Sequence, residues 1–169
     1  MKVLVIGGVA AGTKVAAKLK REDRNAEILI LTKGKDISYA GCGLPYYVSG
    51  VIKEKSDLLV HTPESYEKVT GVPVKTGMEV TGVNRETKTV TAVRLETGDT
   101  ESYTYDKLVI ATGARPMEPA CPGTELKNVF YMRTPDDAEK LKAAVESGEV
   151  KRAVVVGGGF IGLEIAENL

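Results

Sequence analysis

The residue best suited to do chemistry in this sequence is Cys42, in the stretch ISYAGCGLPYYVSG from Ile37 to Gly50. Leu44 to Val48 reads as a short helix, with Pro45 suited to its first turn. A thiol at the positive end of a helix is favoured as the thiolate, a nucleophile toward sulfur. No second cysteine lies a few residues on, so Cys42 has no near neighbour with which to close an intramolecular disulfide. Its oxidised partner comes from outside, as a mixed disulfide, or is an oxygen, as sulfenic acid. Cys121 stands between Ala120 and Pro122, outside any motif, and reads as a bystander. The only histidine, His61, sits beside Thr62 and Pro63; this excludes a histidine-based metal cluster, and no metal site is expected.

Two glycine-rich turns point to a second kind of chemistry, the holding of phosphates. A turn between strand and helix lets backbone N–H groups and the positive helix end grip a pyrophosphate. The first turn is GGVAAG, Gly7 to Gly12, with Val9 at one glycine position of the G-x-G-x-x-G pattern. By itself it fits a plain structural turn equally well. The acidic ribose anchor expected about twenty residues on is replaced by Thr32, which keeps one hydroxyl to donate. The second turn, GGGFIG, carries all three glycines as Gly157, Gly159 and Gly162. Two such turns in one chain imply two nucleotides.

These residues need elements to position them. Lys2 to Ile6 and Ile28 to Leu31 read as buried parallel strands around a helix from about Ala11 to Arg21, with Val15 and Leu19 on its inner face. This βαβ unit opens a doubly wound sheet. Pro63 to Val69 reads as a helix beginning at proline. Val80 to Val83, Thr89 to Leu95 and Thr100 to Tyr105 read as an antiparallel meander, inserted before a parallel strand from Leu108 to Ala111. Pro116 to Pro122 looks like a linker. A helix from Pro135 to Val145, a strand from Ala153 to Val156 and a last helix complete the pattern. The chain ends inside that last helix, so a second nucleotide-binding domain is expected to be cut off as it begins.

The segments ISYAGCGLPYYVSG and YDKLVIATGARP (Tyr105 to Pro116), together with the two turns, resemble the single-cysteine branch of the pyridine nucleotide-disulfide oxidoreductases. That branch includes CoA-disulfide reductases, persulfide reductases, NADH oxidases and NADH peroxidases. The resemblance covers essentially the whole chain. It implies an α/β fold: a Rossmann-like FAD-binding domain over 1–115, a parallel sheet with a β-meander insertion, then over 116–169 a linker and the start of a Rossmann-like NAD(P)-binding domain. It assigns Gly7, Gly8, Ala10, Ala11, Gly12, Thr32, Lys33, Val80, Ala111, Thr112 and Gly113 to FAD, and Gly157, Gly159, Phe160, Ile161 and Gly162 to NAD(P)H. Phe160 stands where the family often places an aromatic over the flavin; a packing aromatic at a helix start fits the sequence as well. The implied reaction passes electrons from NAD(P)H through the flavin to a mixed disulfide on Cys42, releasing one thiol.

Within the branch, the sulfenic-acid enzymes resemble one another in carrying a histidine in the first turn, where this chain has Ala10. Without an imidazole to help protonate a departing oxygen, peroxide chemistry loses a partner, and the resemblance favours a thiol-disulfide substrate. Lys14, Lys18 and Arg21 share one face of the first helix. Alone they read as a solvated basic face; beside the CoA-disulfide reductases they read, with Ser38, as a site for CoA disulfide or CoA persulfide. The alternatives are an NADH oxidase or peroxidase and, in another class, a nucleotide-binding fragment without turnover. With 23 basic and 23 acidic residues, nothing suggests a nucleic-acid partner, and no apolar run reaches membrane-spanning length. A cytoplasmic enzyme, homodimeric at full length, is the expectation.

Overall fold

The computed structural model describes all 169 residues, which separate into two compact units: Met1–Tyr39 with Val60–Gly113, and Ala40–Leu59 with Ala114–Leu169.

The first unit is built on a parallel sheet. Its strands β1 (Lys2–Ile6), β2 (Glu27–Leu31), β3 (Val74–Lys75) and β7 (Lys107–Ile110) lie in the order β3-β2-β1-β7. The apolar runs form strands here because both faces are covered. On one face Val3, Val5, Ile28 and Ile30 pack with Ala16, Ile37, Tyr66 and Val72. On the other, Leu4, Ile6 and Leu31 meet Met78, Val90 and Ala92 of the meander. That meander is β4 (Met78–Asn84), β5 (Thr89–Arg94) and β6 (Thr100–Thr104), antiparallel throughout, with a register shift between Val80 and Gly82. Helix α1 (Ala11–Glu22) follows β1, and α3 (Pro63–Thr70) begins in a Thr62/Ser65 capping box and ends at Gly71 in the left-handed region.

The expected parallel sheet and inserted meander are present. One expectation about α1 needs correcting: its buried residues are Gly12, Thr13 and Ala16, and Val15 is exposed. Small residues let the helix lie close to β1, so the covered stripe is narrow and Leu19 reaches it only partly. His61 is half-buried, with its ring edge-on to Tyr66.

The second unit joins two distant stretches. A 3-10 turn (Gly41–Gly43) leads into α2 (Leu44–Val48), and a second 3-10 turn covers Lys55–Leu58. Beyond residue 113 come α4 (Pro135–Glu146), opened by a Thr134/Asp137 capping box, and α5 (Phe160–Asn168). Leu44, Tyr47, Val48 and Leu58 pack on Ala138, with Met132, Leu141 and Val145 around them. Lys55 Nζ ties the same faces together, at 2.6 Å from Asp136 and 2.8 Å from Glu139. The strand expected from Ala153 to Val156 is not formed; Val154 and Val156 are exposed. A parallel strand exists only through its ladder, and none of the seven strands of the chain pairs with this one.

Candidate functional site

In the first unit, sheet register assembles the first turn. Ile6 pairs with Leu31 on one side and Ile110 on the other, so Gly7, Thr32 and Ala111 emerge abreast at the carboxyl edge of the strands. The Gly7 N–H donates to the Leu31 carbonyl and the Ala111 N–H to the Ile6 carbonyl, both at 2.8 Å. Ligands of open α/β sheets bind at this edge.

Gly7 has φ +113°, and a Cβ there would lie 2.1 Å from the Ala111 carbonyl oxygen. A Cβ on Gly12 would lie 1.8 Å from the Gly7 carbonyl oxygen. Both positions therefore need glycine. At Gly8 the constraint is side-chain packing, since an added Cβ would stand 3.0 Å from Thr32 Cβ and Cγ2. Thr32 is buried against this turn, with its backbone N–H given to Lys75 O and its carbonyl receiving Met78 N–H, both at 3.0 Å.

Helix α1 starts without a side-chain cap: Ala10 is its N-cap, Ala11 its first residue, and no acid stands in its first turn. By contrast α3 and α4 are closed by their own capping boxes. A long helix left without a cap, behind a turn in which backbone carbonyl and helix nearly touch, fits an anionic pyrophosphate.

Other residues assigned from sequence take varied places. Ser38, at φ +48°, donates its N–H to Gly8 O and receives Val60 N–H, both at 3.0 Å. A non-glycine residue in this region is uncommon, and two bonds hold it there. Thr112 and Gly113 follow Ala111 directly and are exposed. Lys33 pairs with Glu79 at 2.7 Å. Val80, on β4, is half-buried and packs against the cluster of Leu4, Ile6, Leu31, Met78, Val90 and Ala92. Lys14, Lys18 and Arg21 are exposed along α1, and Lys18 pairs with Glu22 of the same helix.

The second unit carries the thiol and the second turn. Cys42 is exposed and unpaired. A Cβ built on Gly41 meets nothing within 4 Å, whereas one on Gly43 stands 3.0 Å from Leu58 and 3.1 Å from Ile52. The turn is thus open on one side of the sulfur and packed on the other. Ala40 N–H to Leu58 O at 2.8 Å and Gly43 N–H to Ala40 O at 2.9 Å fix it. Cys121 is also exposed and unpaired.

Gly157 to Gly162 repeats the geometry of the first turn. Gly157 has φ +118°, and a Cβ on Gly162 would lie 2.0 Å from the Gly157 carbonyl oxygen. Val155 stands near Gly162 as Val5 stands near Gly12, at 3.4 and 3.3 Å. Gly159 is the N-cap of α5 with no side-chain cap, and Phe160 and Ile161 open the helix, both exposed.

Two residues went unnoticed in the sequence. The nearby Glu164 carboxylate holds the Tyr46 phenol above its usual value, and Glu164 Oε2 is buried without a hydrogen-bond partner. Tyr46 stands within the Ile37–Gly50 segment, four residues after Cys42, and Glu164 two after Gly162.

Known proteins share this arrangement. The chain is 35% identical over 168 residues to a coenzyme A disulfide reductase of Staphylococcus haemolyticus, covering 99% of this chain. It is 36% identical to an NADH oxidase of Methanocaldococcus jannaschii, over all of this chain. In both cases it spans 38% of the relative's length. The structure of reduced Bacillus anthracis CoADR-RHD superposes with a TM-score of 0.95 at 42% identity, covering 99% of this chain and 30% of that one. A NAD-dependent persulfide reductase from A. fulgidus gives 0.93 at 41%, over 99% and 31%. The family model for pyridine nucleotide-disulphide oxidoreductases matches residues 1–169, and the chain belongs to that family.

Proposed function

We propose that this chain carries the FAD turn, the redox cysteine and the NAD(P)H turn of a disulfide reductase that acts on CoA disulfide or CoA persulfide through Cys42. The observation that carries the reading is the open side of the Cys42 turn, where a bulky disulfide has room to reach the sulfur. Gly7, Gly8 and Gly12 with Ala111 hold the first dinucleotide, and Gly157, Gly159 and Gly162 the second. When bound, the flavin and the nicotinamide together supply two electrons as hydride equivalents.

The residues of the chain do the sulfur chemistry. The Cys42 thiolate attacks one sulfur of the substrate, the substrate S–S bond breaks, and one thiolate leaves. The new Cys42 mixed disulfide accepts two electrons, releases the second thiolate and regenerates the Cys42 thiolate. Lys14, Lys18, Arg21 and Ser38 are the residues assigned to the CoA portion of the substrate. The working enzyme is a homodimer.

NADH oxidase names among the relatives keep an oxygen-consuming reading in view, with Cys42 cycling through sulfenic acid. Ala10 argues against it, because no imidazole stands in the first turn. The test is Cys42→Ser in the full-length enzyme. Disulfide reduction is expected to stop while NAD(P)H still reduces the flavin. Undiminished disulfide turnover would remove Cys42 from the mechanism, and NADH oxidation faster with oxygen than with CoA disulfide would favour the oxidase.

A further inference from the structure

The first turn uses up its carbonyls inside the chain and leaves its N–H groups free. Gly8 O receives the Ser38 N–H at 3.0 Å, and Ala10 O receives the Lys14 N–H at 3.1 Å. No backbone N–H reaches Val9 O; the Thr13 hydroxyl donates to it instead, and also lies 3.2 Å from Ala10 O. The N–H groups from Gly8 to Thr13 have no acceptor in the chain. Thr13 is 6% exposed, and its own carbonyl is held by the Tyr66 hydroxyl.

The second turn treats the same place in another way. Aligned on Gly7 and Gly157, Thr13 stands where that turn has Leu163, and Val9 where it has Gly159. Leu163 has no hydroxyl and gives its backbone N–H to Gly159 O at 3.0 Å. Helix α5 therefore starts at Phe160, one position earlier in the turn than α1, which starts at Ala11. Within a helix, a threonine bonding back to the carbonyl four residues before it shares that oxygen with an N–H. In the first turn the hydroxyl replaces the N–H.

We propose that Thr13 is a positioning residue for the first dinucleotide: its hydroxyl takes the Val9 carbonyl, delays the start of α1 by one residue and keeps the Thr13 N–H among the free donors. The inference rests on the reading of Gly7 to Gly12 as the FAD turn and adds a residue to it. A run of donors with no competing acceptor suits an anionic pyrophosphate. The second turn, with Leu163 in this place, offers one N–H fewer.

The test uses the full-length protein, stripped of flavin, and compares Thr13→Val, Thr13→Ser and Ala10→Asp with the wild type. Three quantities are followed: the dissociation constant for FAD by flavin fluorescence, that for NAD(P)H, and amide hydrogen exchange at residue 13 by NMR. Thr13→Val is expected to raise the FAD constant about tenfold, the factor carried by one hydrogen bond to a charged group. Its residue-13 amide should exchange more slowly, because that N–H then closes on Val9 O as Leu163 closes on Gly159 O. Thr13→Ser keeps the hydroxyl and should stay within about twofold of the wild type, with the amide unchanged. NAD(P)H binding should not move in either variant.

An unmoved amide or an unchanged FAD constant in Thr13→Val would overturn the proposal. So would a Thr13→Ser protein as weak as Thr13→Val, or an equal loss of NAD(P)H binding. Ala10→Asp separates this inference from its parent reading, because a negative charge at the N-cap of α1 repels a pyrophosphate held there. FAD affinity that survives Ala10→Asp shows that the first turn does not hold the flavin, and the parent reading fails. Affinity lost in Ala10→Asp but kept in Thr13→Val removes the role of Thr13 alone.

Discussion

The close approach inside the first turn makes a quantitative prediction. In Gly12→Ala, the added Cβ would sit 1.8 Å from the Gly7 carbonyl oxygen and 2.9 Å from its carbon. Real Cβ atoms essentially never come nearer than 3.0 Å, so helix and turn must separate. Neither is free to do so. Gly7 is pinned by its N–H bond to Leu31 O at 2.8 Å, and α1 is held by the Tyr66 hydroxyl, which donates to Thr13 O at 2.5 Å. Overpacking combined with loss of that buried hydrogen bond should cost ~3 kcal/mol. For a chain of this length that corresponds to a fall in Tm of roughly 6–12 °C.

The assay is thermal unfolding by circular dichroism, with two comparisons. In Gly34→Ala the new Cβ meets only Asp36 O, at 3.7 Å, and Tm should move by no more than about 1 °C. Gly162→Ala makes nearly the same clash, at 2.0 Å, but α5 buries only Ile165 and can shift. It should therefore cost less than Gly12→Ala. A Gly12→Ala protein melting within about 2 °C of the parent would refute the reasoning. So would equal losses at Gly12 and Gly34.

Other outcomes follow from the same geometry. Neutralising Lys14, Lys18 and Arg21 together in the full-length enzyme should raise KM for CoA-linked disulfides, most steeply at low salt, and leave small uncharged disulfides alone; steady-state kinetics at two ionic strengths checks it. Cys121→Ser should change neither flavin reduction nor disulfide turnover, as stopped-flow and steady-state rates would show. Lys55→Ala removes contacts to both Asp136 and Glu139 and should lower stability by about 1 kcal/mol, measured by urea unfolding. The Glu101 carboxyl is held at about 2 by Tyr103, Arg94 and Lys75. A depressed carboxylate contributes stability that is present above its unfolded value of 4.5 and lost as pH falls toward about 2. Glu101→Gln should flatten the acid limb of the unfolding curve in that window.

Most of the first unit was legible because its signals are local. An apolar run ending in glycine gave β1, proline and a cap gave α3, and alternation broken by turn residues gave the meander. Where the outcome depended on partners, sequence fell short. β3 is two residues long and exists only by pairing with Ile30 and Leu31. The run from Ala153 to Val156 has the composition of a strand and no partner, so it forms none. Val15 sits at the helical spacing of a core residue, yet Gly12 and Ala16 bring α1 so close to the sheet that Val15 is left outside.

The candidate site divides in the same way. Glycines at Gly7, Gly12, Gly157 and Gly162 are readable because the chain can pass those points with no other residue, a constraint written entirely in local backbone geometry. Cys42 is readable because few residue types do its chemistry. What holds the thiol in place is written elsewhere. The segment 40–59 that bears it forms one compact unit with 114–169. Its turn is closed by Leu58, and its helix is covered by Ala138. None of these residue types would draw attention by itself. Their role follows from which stretches share a core, so the reactivity of the cysteine depends on positions that spacing around Cys42 could not reveal.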